Sequence, residues 1–518
     1  MMDLKIKCVD EMTIEELIGQ VIMVGLPTTY LTDEYKHFIK KYKIGNYILF
    51  ARNYQDTKQM KLFMKELYEY TTLATDSFPL VSIDQEGGMV VRLFKDVTFP
   101  ASPLTTSASS VNNAPYLTGK IIGKDMLSLG INLNLAPCLE VNEGLSNPLI
   151  NVRGYGSTKE IVLKNASLFV KGIRDSKTLS CIKHFPGAGS STKDSHLELP
   201  IIEDSKEDLL NYNMYPFLNL LDSDALMSSH CLYKSFDELP STLSKVLLTD
   251  VLRKEYGFKG LIISDGMEMK AISDHYGIGR GTVMALNAGC DILLLCHDYS
   301  EQKEALESAK EAVLNGELSI ELLKEKVRRI NNAKEKVIAG LNEYFTDNDY
   351  VINKEEHHLM EEIVDSSYTL VKGNSPELDN NTLIISCNAN VSSIVEDEFD
   401  TRNLTENLKR NFPNNKIIEF KKDSKFIDYV VEEASNYNKV IIYSYDAYKD
   451  EVQKEVINKL LQTKNEVYVI SLKGPIDQCY FKDLKNYACL YEYTPNSIKT
   501  IIKQLKGNFE LKGKLPIE

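Results

Sequence analysis

GLIISDGMEM, residues 260–269, is an unbroken apolar run that ends in an aspartate and a glycine. Apolar residues in succession, rather than in alternation, are the pattern of a strand covered on both faces, as in a parallel sheet. Seven further runs of this kind occur in the first 300 residues: IGQVIMVG (18–25), GNYILF (45–50), PLVSIDQEG (79–87), INLNLAP (131–137), LSCIKHFP (179–186), DALMSSH (224–230) and DILLLC (291–296). Helix-like segments lie between them, among them KQMKLFMKELYEYT (58–71), TKEIVLKNASLFVKGI (158–173) and STLSKVLLTDVLRKEY (241–256). Strand, helix, strand repeated about eight times over some 330 residues predicts an α/β fold, a (β/α)8 TIM-type barrel, ahead of an open doubly wound sheet.

A second alternation follows. TLIISC (382–387), KIIEF (416–420), KVIIYSYD (439–446), EVYVISL (466–472) and ACLYEY (488–493) read as strands separated by helical segments, which predicts a smaller αβα sandwich. The expected division is a barrel over 1–340, a polar linker over 341–365 containing NEYFTDNDYVINKEEHH, and a sandwich domain over 366–518.

Bulk properties narrow the function. The net charge of -14 disfavours a sequence-independent grip on nucleic acid, which needs clustered Lys and Arg. Nine cysteines without a CxxC pair read as reduced thiols, neither a disulfide frame nor a zinc site. The N-terminal MMDLKIKCVDEMTIEEL places charges where a secretory leader has its apolar core, and no uncharged run reaches the roughly 18 residues that span a membrane. A cytoplasmic protein without a membrane or nucleic-acid partner is expected. Its oligomeric state is not legible. No GxxxxGK[ST] loop occurs and VRGYGS does not fit the dinucleotide fingerprint, so no cofactor is expected.

Several strand-like runs end in ionisable residues: Asp84, Lys183 with His184, His230, and Asp265. In a barrel the C-terminal strand ends converge on one mouth, so these groups are candidates for a shared pocket. Each has two readings. Asp265 suits either a nucleophile for a carbon developing positive charge or an N-cap for the helix that follows. Asp84 and Arg92, in DQEGGMVVRL, make either a structural ion pair or a clamp on the vicinal hydroxyls of a sugar, and Arg153 in NVRGYG could serve the same clamp. Asp194 and His196, in KHFPGAGSSTKDSH (183–196), are either a solvated pair on a loop or a carboxylate-oriented imidazole that shuttles protons near neutral pH.

Taken together, DQEGGMVVRL, GINLNLAPCLEVN, NVRGYG, KHFPGAGSSTKDSH, MSSH followed by LPSTLS, GFKGLIISDGMEM and LNAGCDILLL resemble glycoside hydrolase family 3, and most closely its β-N-acetylglucosaminidase branch, over roughly residues 10–340. The resemblance implies a retaining exo-β-N-acetylglucosaminidase that acts on muropeptides or chitooligosaccharides. Asp265 would be the nucleophile, His196 the acid/base and Asp194 its orienting carboxylate. Asp84, Arg92, Arg153, Lys183, His184 and His230 would bind the terminal sugar. No metal or cofactor is implied, and cell-wall recycling is the expected setting. The alternatives within sugar chemistry are a β-N-acetylglucosaminide phosphorylase and a β-glucosidase of the same family. A metal-dependent hydrolase using Asp194, His196, His184 and His230 is disfavoured by the cation Lys183 beside His184. Ala188, Ser190, Met89 and Glu140 depart from the branch's usual residues.

Overall fold

The computed structural model of the chain describes residues 4–142, 147, 150–188, 198–346, 352–387, 403–507 and 509–517. Each of the eight apolar runs supplies one strand: β1 (Ile22–Gly25), β2 (Asn46–Leu49), β3 (Leu80–Ile83), β4 (Leu133–Asn134), β5 (Leu179–Phe185), β6 (Ala225–Ser228), β7 (Leu261–Gly266) and β8 (Ile292–Leu295). They pair in chain order and β8 returns to β1, with Ile22 opposite Leu293, closing a parallel barrel. The continuous apolar character is explained by burial on both faces, toward the barrel interior and toward the surrounding helices.

The first run is shared between two elements. Ile18–Val21 completes a helix, Ile14–Val21, before β1 begins. Thr13 and Glu16 form a capping box there: the Glu16 N–H donates to Thr13 Oγ1 at 3.3 Å and the Thr13 N–H to Glu16 Oε2 at 2.9 Å.

Helix Ile320–Thr346 carries two buried lysines against the N-terminal ends of the strands. Lys326 donates to the Cys290 carbonyl at 2.7 Å, ahead of β8, and Lys334 donates to Gln20 Oε1 at 2.8 Å, ahead of β1. Burial pushes the Lys334 ammonium down from 10.5 to about 7. Between these two values the unfolded chain binds the extra proton, so folding stability rises with pH across that window and the full penalty remains below pH 7. Wild-type protein is expected to gain on the order of 5 kcal/mol from this group between pH 7 and 10.5. Lys334→Met should lose that slope, which denaturant unfolding at pH 7 and 9 would reveal. Identical slopes in the two proteins would contradict the burial account.

The second sheet comprises β9 (Thr369–Lys372), β10 (Thr382–Ser386), β11 (Lys416–Glu419), β12 (Lys439–Ser444), β13 (Glu466–Ser471) and β14 (Asn486–Cys489), in the order β9-β14-β13-β12-β10-β11. Its strands alternate between two apolar layers. Ile384, Ile441 and Ile470 pack with Ile498 and Ile501 on one face, whereas Ile385, Ile442 and Val469 pack with Phe426, Val430 and Val456 on the other. Helices therefore cover both faces. The antiparallel edge strand β9 is an element that sequence reading missed, since it is four residues long and half-exposed. Within the expected linker, Lys354–Ser367 is a helix whose Met360, Ile363 and Val364 pack on Ala101, Ala114 and Ile121. The apolar spacing of those three residues on one helical face outweighs the polar composition.

Candidate active site

The C-terminal mouth of the barrel holds a cavity of about 590 Å³ lined by Asp84, Arg92, Arg153, Lys183, His184, His230 and Asp265. Seven of the nine residues expected at the site are thus brought together from five strand ends. Asp194 and His196 lie outside the described residues, as does Ser190.

Lys183, on β5, is almost fully buried and bridges two carboxylates, Asp84 and Glu86, each at 2.7 Å. Glu86 in turn receives a two-pronged contact from Arg153, Nε at 2.9 Å and Nη2 at 2.8 Å. Arg92 approaches Asp84 from the other side at 3.9 Å. Burial alone would push the Glu86 carboxyl up, but the charges of Arg153 and Lys183 outweigh it and hold the group well below the usual carboxylate range. Burial would likewise lower Lys183, yet Asp84 and Glu86 hold it above the ordinary lysine value. The network is therefore a charged lattice at neutral pH. It fixes Asp84 and Arg92 on the cavity wall without leaving either charge uncompensated.

His184 is fixed by Glu140, which is fully buried after β4. Glu140 Oε1 accepts from the His184 backbone N–H at 2.9 Å and from ring Nδ1 at 2.6 Å. A carboxylate that accepts at Nδ1 leaves Nε2 as the ring's second hydrogen-bonding atom for the cavity. His230, which also lines the cavity, has its Nδ1 at Thr242 Oγ1, and its Nε2 donates to the Gly266 carbonyl, both at 2.8 Å. It braces the peptide that follows Asp265. Asp265 itself occupies the penultimate position of β7, and its Oδ1 accepts from the Gly266 N–H at 2.8 Å.

Another part of the cavity wall, with Phe50, Arg52, Glu268 and His297, was not anticipated. Glu268, in the same SDGMEM stretch as Asp265, accepts from the Cys296 and His297 N–H groups beyond β8. Burial pushes its carboxyl up to about 7 against those hydrogen bonds. Arg52 lies over Phe50 at 4.3 Å and donates to His297 Nδ1 at 2.9 Å. Glu86 and Glu140 were also missed as functional groups, although both follow a strand-like run directly. Their positions, each two residues past Asp84 and Cys138, are the signal that could have found them.

Among the described residues, one cluster has metal-ligand chemistry: Cys138, Glu140 and His184 offer ligand atoms within 4.8 Å of one another. Burial pushes the Cys138 thiol up, and its surroundings include the cations Arg153 and Lys183, which oppose a bound metal ion. Seven of the nine cysteines are buried and all are free thiols.

Residues 13–333 match the Glycosyl hydrolase family 3 N terminal domain. The chain belongs to glycoside hydrolase family 3. As a member of that family it is a glycoside hydrolase. Among solved structures, a family 3 β-N-acetylglucosaminidase from Paenibacillus sp. superposes with a TM-score of 0.90 at 30% identity, covering 98% of this chain and 99% of that one. Among curated relatives, beta-hexosaminidase A of Pseudoalteromonas piscicida is 30% identical over 335 residues, 60% of this chain, and this chain spans 56% of that protein's length. The beta-hexosaminidase of Hydrogenovibrio crunogenus is 32% identical over 305 residues, 56% of this chain and 84% of its own length. No helix among the described residues is long and apolar enough to cross a membrane.

Proposed function

We propose that this family 3 member is a retaining exo-β-N-acetylglucosaminidase. The observation that carries the reading is that the Asp265 carboxylate shares one cavity with the Asp84–Lys183–Arg92 clamp and with His184, whose ring is set by Glu140. The names of the 30%-identical relatives support the choice of sugar.

In this reading the clamp grips the hydroxyls of a terminal non-reducing sugar. Asp265 attacks the anomeric carbon as the bond to the leaving oxygen breaks, and His196, oriented by Asp194, delivers a proton to that oxygen. Water then gives its proton to His196 and its oxygen to the anomeric carbon, releasing Asp265. The chemistry needs no metal, because the carboxylate and the imidazole handle all charge and proton movement. A cytoplasmic enzyme that trims GlcNAc from cell-wall fragments is the setting we favour.

A panel of aryl β-glycosides tests the reading. The GlcNAc glycoside should be turned over about a hundredfold faster than the glucoside. Preference for the glucoside, or release of a sugar 1-phosphate that requires added phosphate, would replace it with one of the two alternatives. For the acid/base, His196→Ala should slow chitobiose cleavage by about 10²- to 10⁴-fold, the usual contribution of general acid–base catalysis. Aryl glycosides with acidic leaving groups should be affected far less in the glycosylation step. Equal losses on both substrates count against the role of His196.

A further inference from the structure

The two loops that carry the clamp do not stand on the barrel alone. Gly87 and Gly88, in the turn between Glu86 and Arg92, lie directly on segment 99–102. A Cβ on Gly88 would come 2.3 Å from Ser102 Cβ, and one on Gly87 would come 2.2 Å from the Ala101 carbonyl oxygen. The Gly88 N–H donates to the Pro100 carbonyl at 2.8 Å. That segment is held in turn by the second domain. Glu492, fully buried just past β14, accepts at Oε2 from the Ser102 N–H and from Thr105 Oγ1, both at 2.8 Å, while its Oε1 accepts from Thr494 at 2.6 Å. Asn496 adds a bond to the Phe99 carbonyl at 3.2 Å.

The other clamp loop is held from the same domain. Asn151 and Arg153 share one helical turn, and Asn151 Nδ2 donates to Asp446 Oδ1 at 3.4 Å. Asp446 pairs with the buried Lys473 at 3.2 Å, and a Cβ on the adjoining Gly474 would come 2.6 Å from Asn151 Oδ1. Glu492, Asp446, Lys473 and Gly474 all lie outside the residues that match the family's N-terminal domain.

We infer that the second domain is a positioning device for the sugar clamp, with Glu492 setting the Glu86–Arg92 turn through segment 99–105 and Asp446 setting Arg153 through Asn151. The residues concerned are positioning residues, since none of them lines the cavity. The kinetic half of the test rests on the proposed glycosidase reading. The structural half does not.

The experiment uses the full chain. Glu492→Ala should raise KM for an aryl β-GlcNAc on the order of tenfold, as a small misplacement of binding groups does, while kcat changes little. Glu492→Gln keeps an acceptor for Ser102 and Thr105 and should restore KM to within about twofold, since the role is acceptance rather than net charge. Amide hydrogen exchange read on peptides covering 86–92 and 99–105 should quicken in Glu492→Ala and return to the wild-type rate in Glu492→Gln. Thr105→Val, which deletes one donor and keeps the shape, reads the same direction if Glu492→Ala does not fold. Unchanged KM and unchanged exchange in a folded Glu492→Ala or Thr105→Val protein overturn the inference. Wild-type protein inert on the GlcNAc glycoside overturns the functional reading instead, and the exchange result then decides the inference by itself.

Discussion

Asp265→Asn is expected to lower kcat on an aryl β-GlcNAc by about four to six orders of magnitude, the scale on which removal of a covalent nucleophile acts. The substitution keeps the shape and the acceptor for the Gly266 N–H, so fold and sugar binding should survive. Its signature goes beyond the loss of rate. In Asp265→Ala, azide should enter the space vacated by the carboxylate and attack from the same face, giving the α-glycosyl azide. Residual activity within about tenfold of wild type would remove Asp265 from the nucleophile's place; the helix-capping alternative is already excluded, since the helix that follows, Lys270–Tyr276, is capped at Met269.

Lys183→Met is expected to act on stability and activity together. Lys183 contacts Asp84 at 2.7 Å and shares Glu86 with Arg153. Removing one partner from a buried ion network typically costs about 3–5 kcal/mol, because the remaining charge stays buried without compensation. The midpoint of denaturant unfolding should fall accordingly, and kcat/KM should drop by about ten- to a hundredfold as a charged hydrogen-bonding group at the sugar site is lost. Adding Asp84→Asn to Lys183→Met removes the charge left without its lysine, whereas Glu86 keeps Arg153, and should recover part of the stability. Additive losses in that double-mutant cycle would mean that the two residues do not interact as the geometry requires.

Much of the fold was legible because the barrel's physics is written in composition. LIISDG and DILLLC are apolar without interruption since both faces of β7 and β8 are covered, and an ionisable residue at the end of such a run can only be accommodated at the mouth. The small strand β4 was legible even though Asn132 and Asn134 interrupt its apolar run and just Leu133 and Asn134 are paired. Less legible were features that depend on what lies across space. The helix Ile14–Val21 took the front half of an apolar run because of a capping box that lies ahead of it. Helix Lys354–Ser367 hid in a polar segment because three apolar residues suffice to dock it.

At the site, side chains on the strand ends themselves were found from sequence, whereas their partners were not. Glu86 and Glu140 gain their roles from Lys183, Arg153 and His184, which are distant in the chain, and no local pattern announces such a pairing. His230 shows the same. Its position at the end of β6 placed it at the cavity, where the carbonyl of Gly266 and the hydroxyl of Thr242, neither legible from the sequence, meet its ring nitrogens. Sequence places a group at the mouth; which atoms it serves is decided by neighbours from other strands.

The apolar layer on the inner face of the second sheet has a bearing on how the protein can be handled. Met89, Leu104, Ala108 and Val152 of the barrel belong to the same cluster as Ile441, Tyr443 and Tyr491 of the sandwich. A gene cut after residue 340 would encode all eight barrel strands, yet its product would turn those side chains toward water as a contiguous greasy face. Such a fragment should come out of cells as aggregate, or in the grip of chaperones. For expression and engineering alike, the working unit of this chain is the pair of domains.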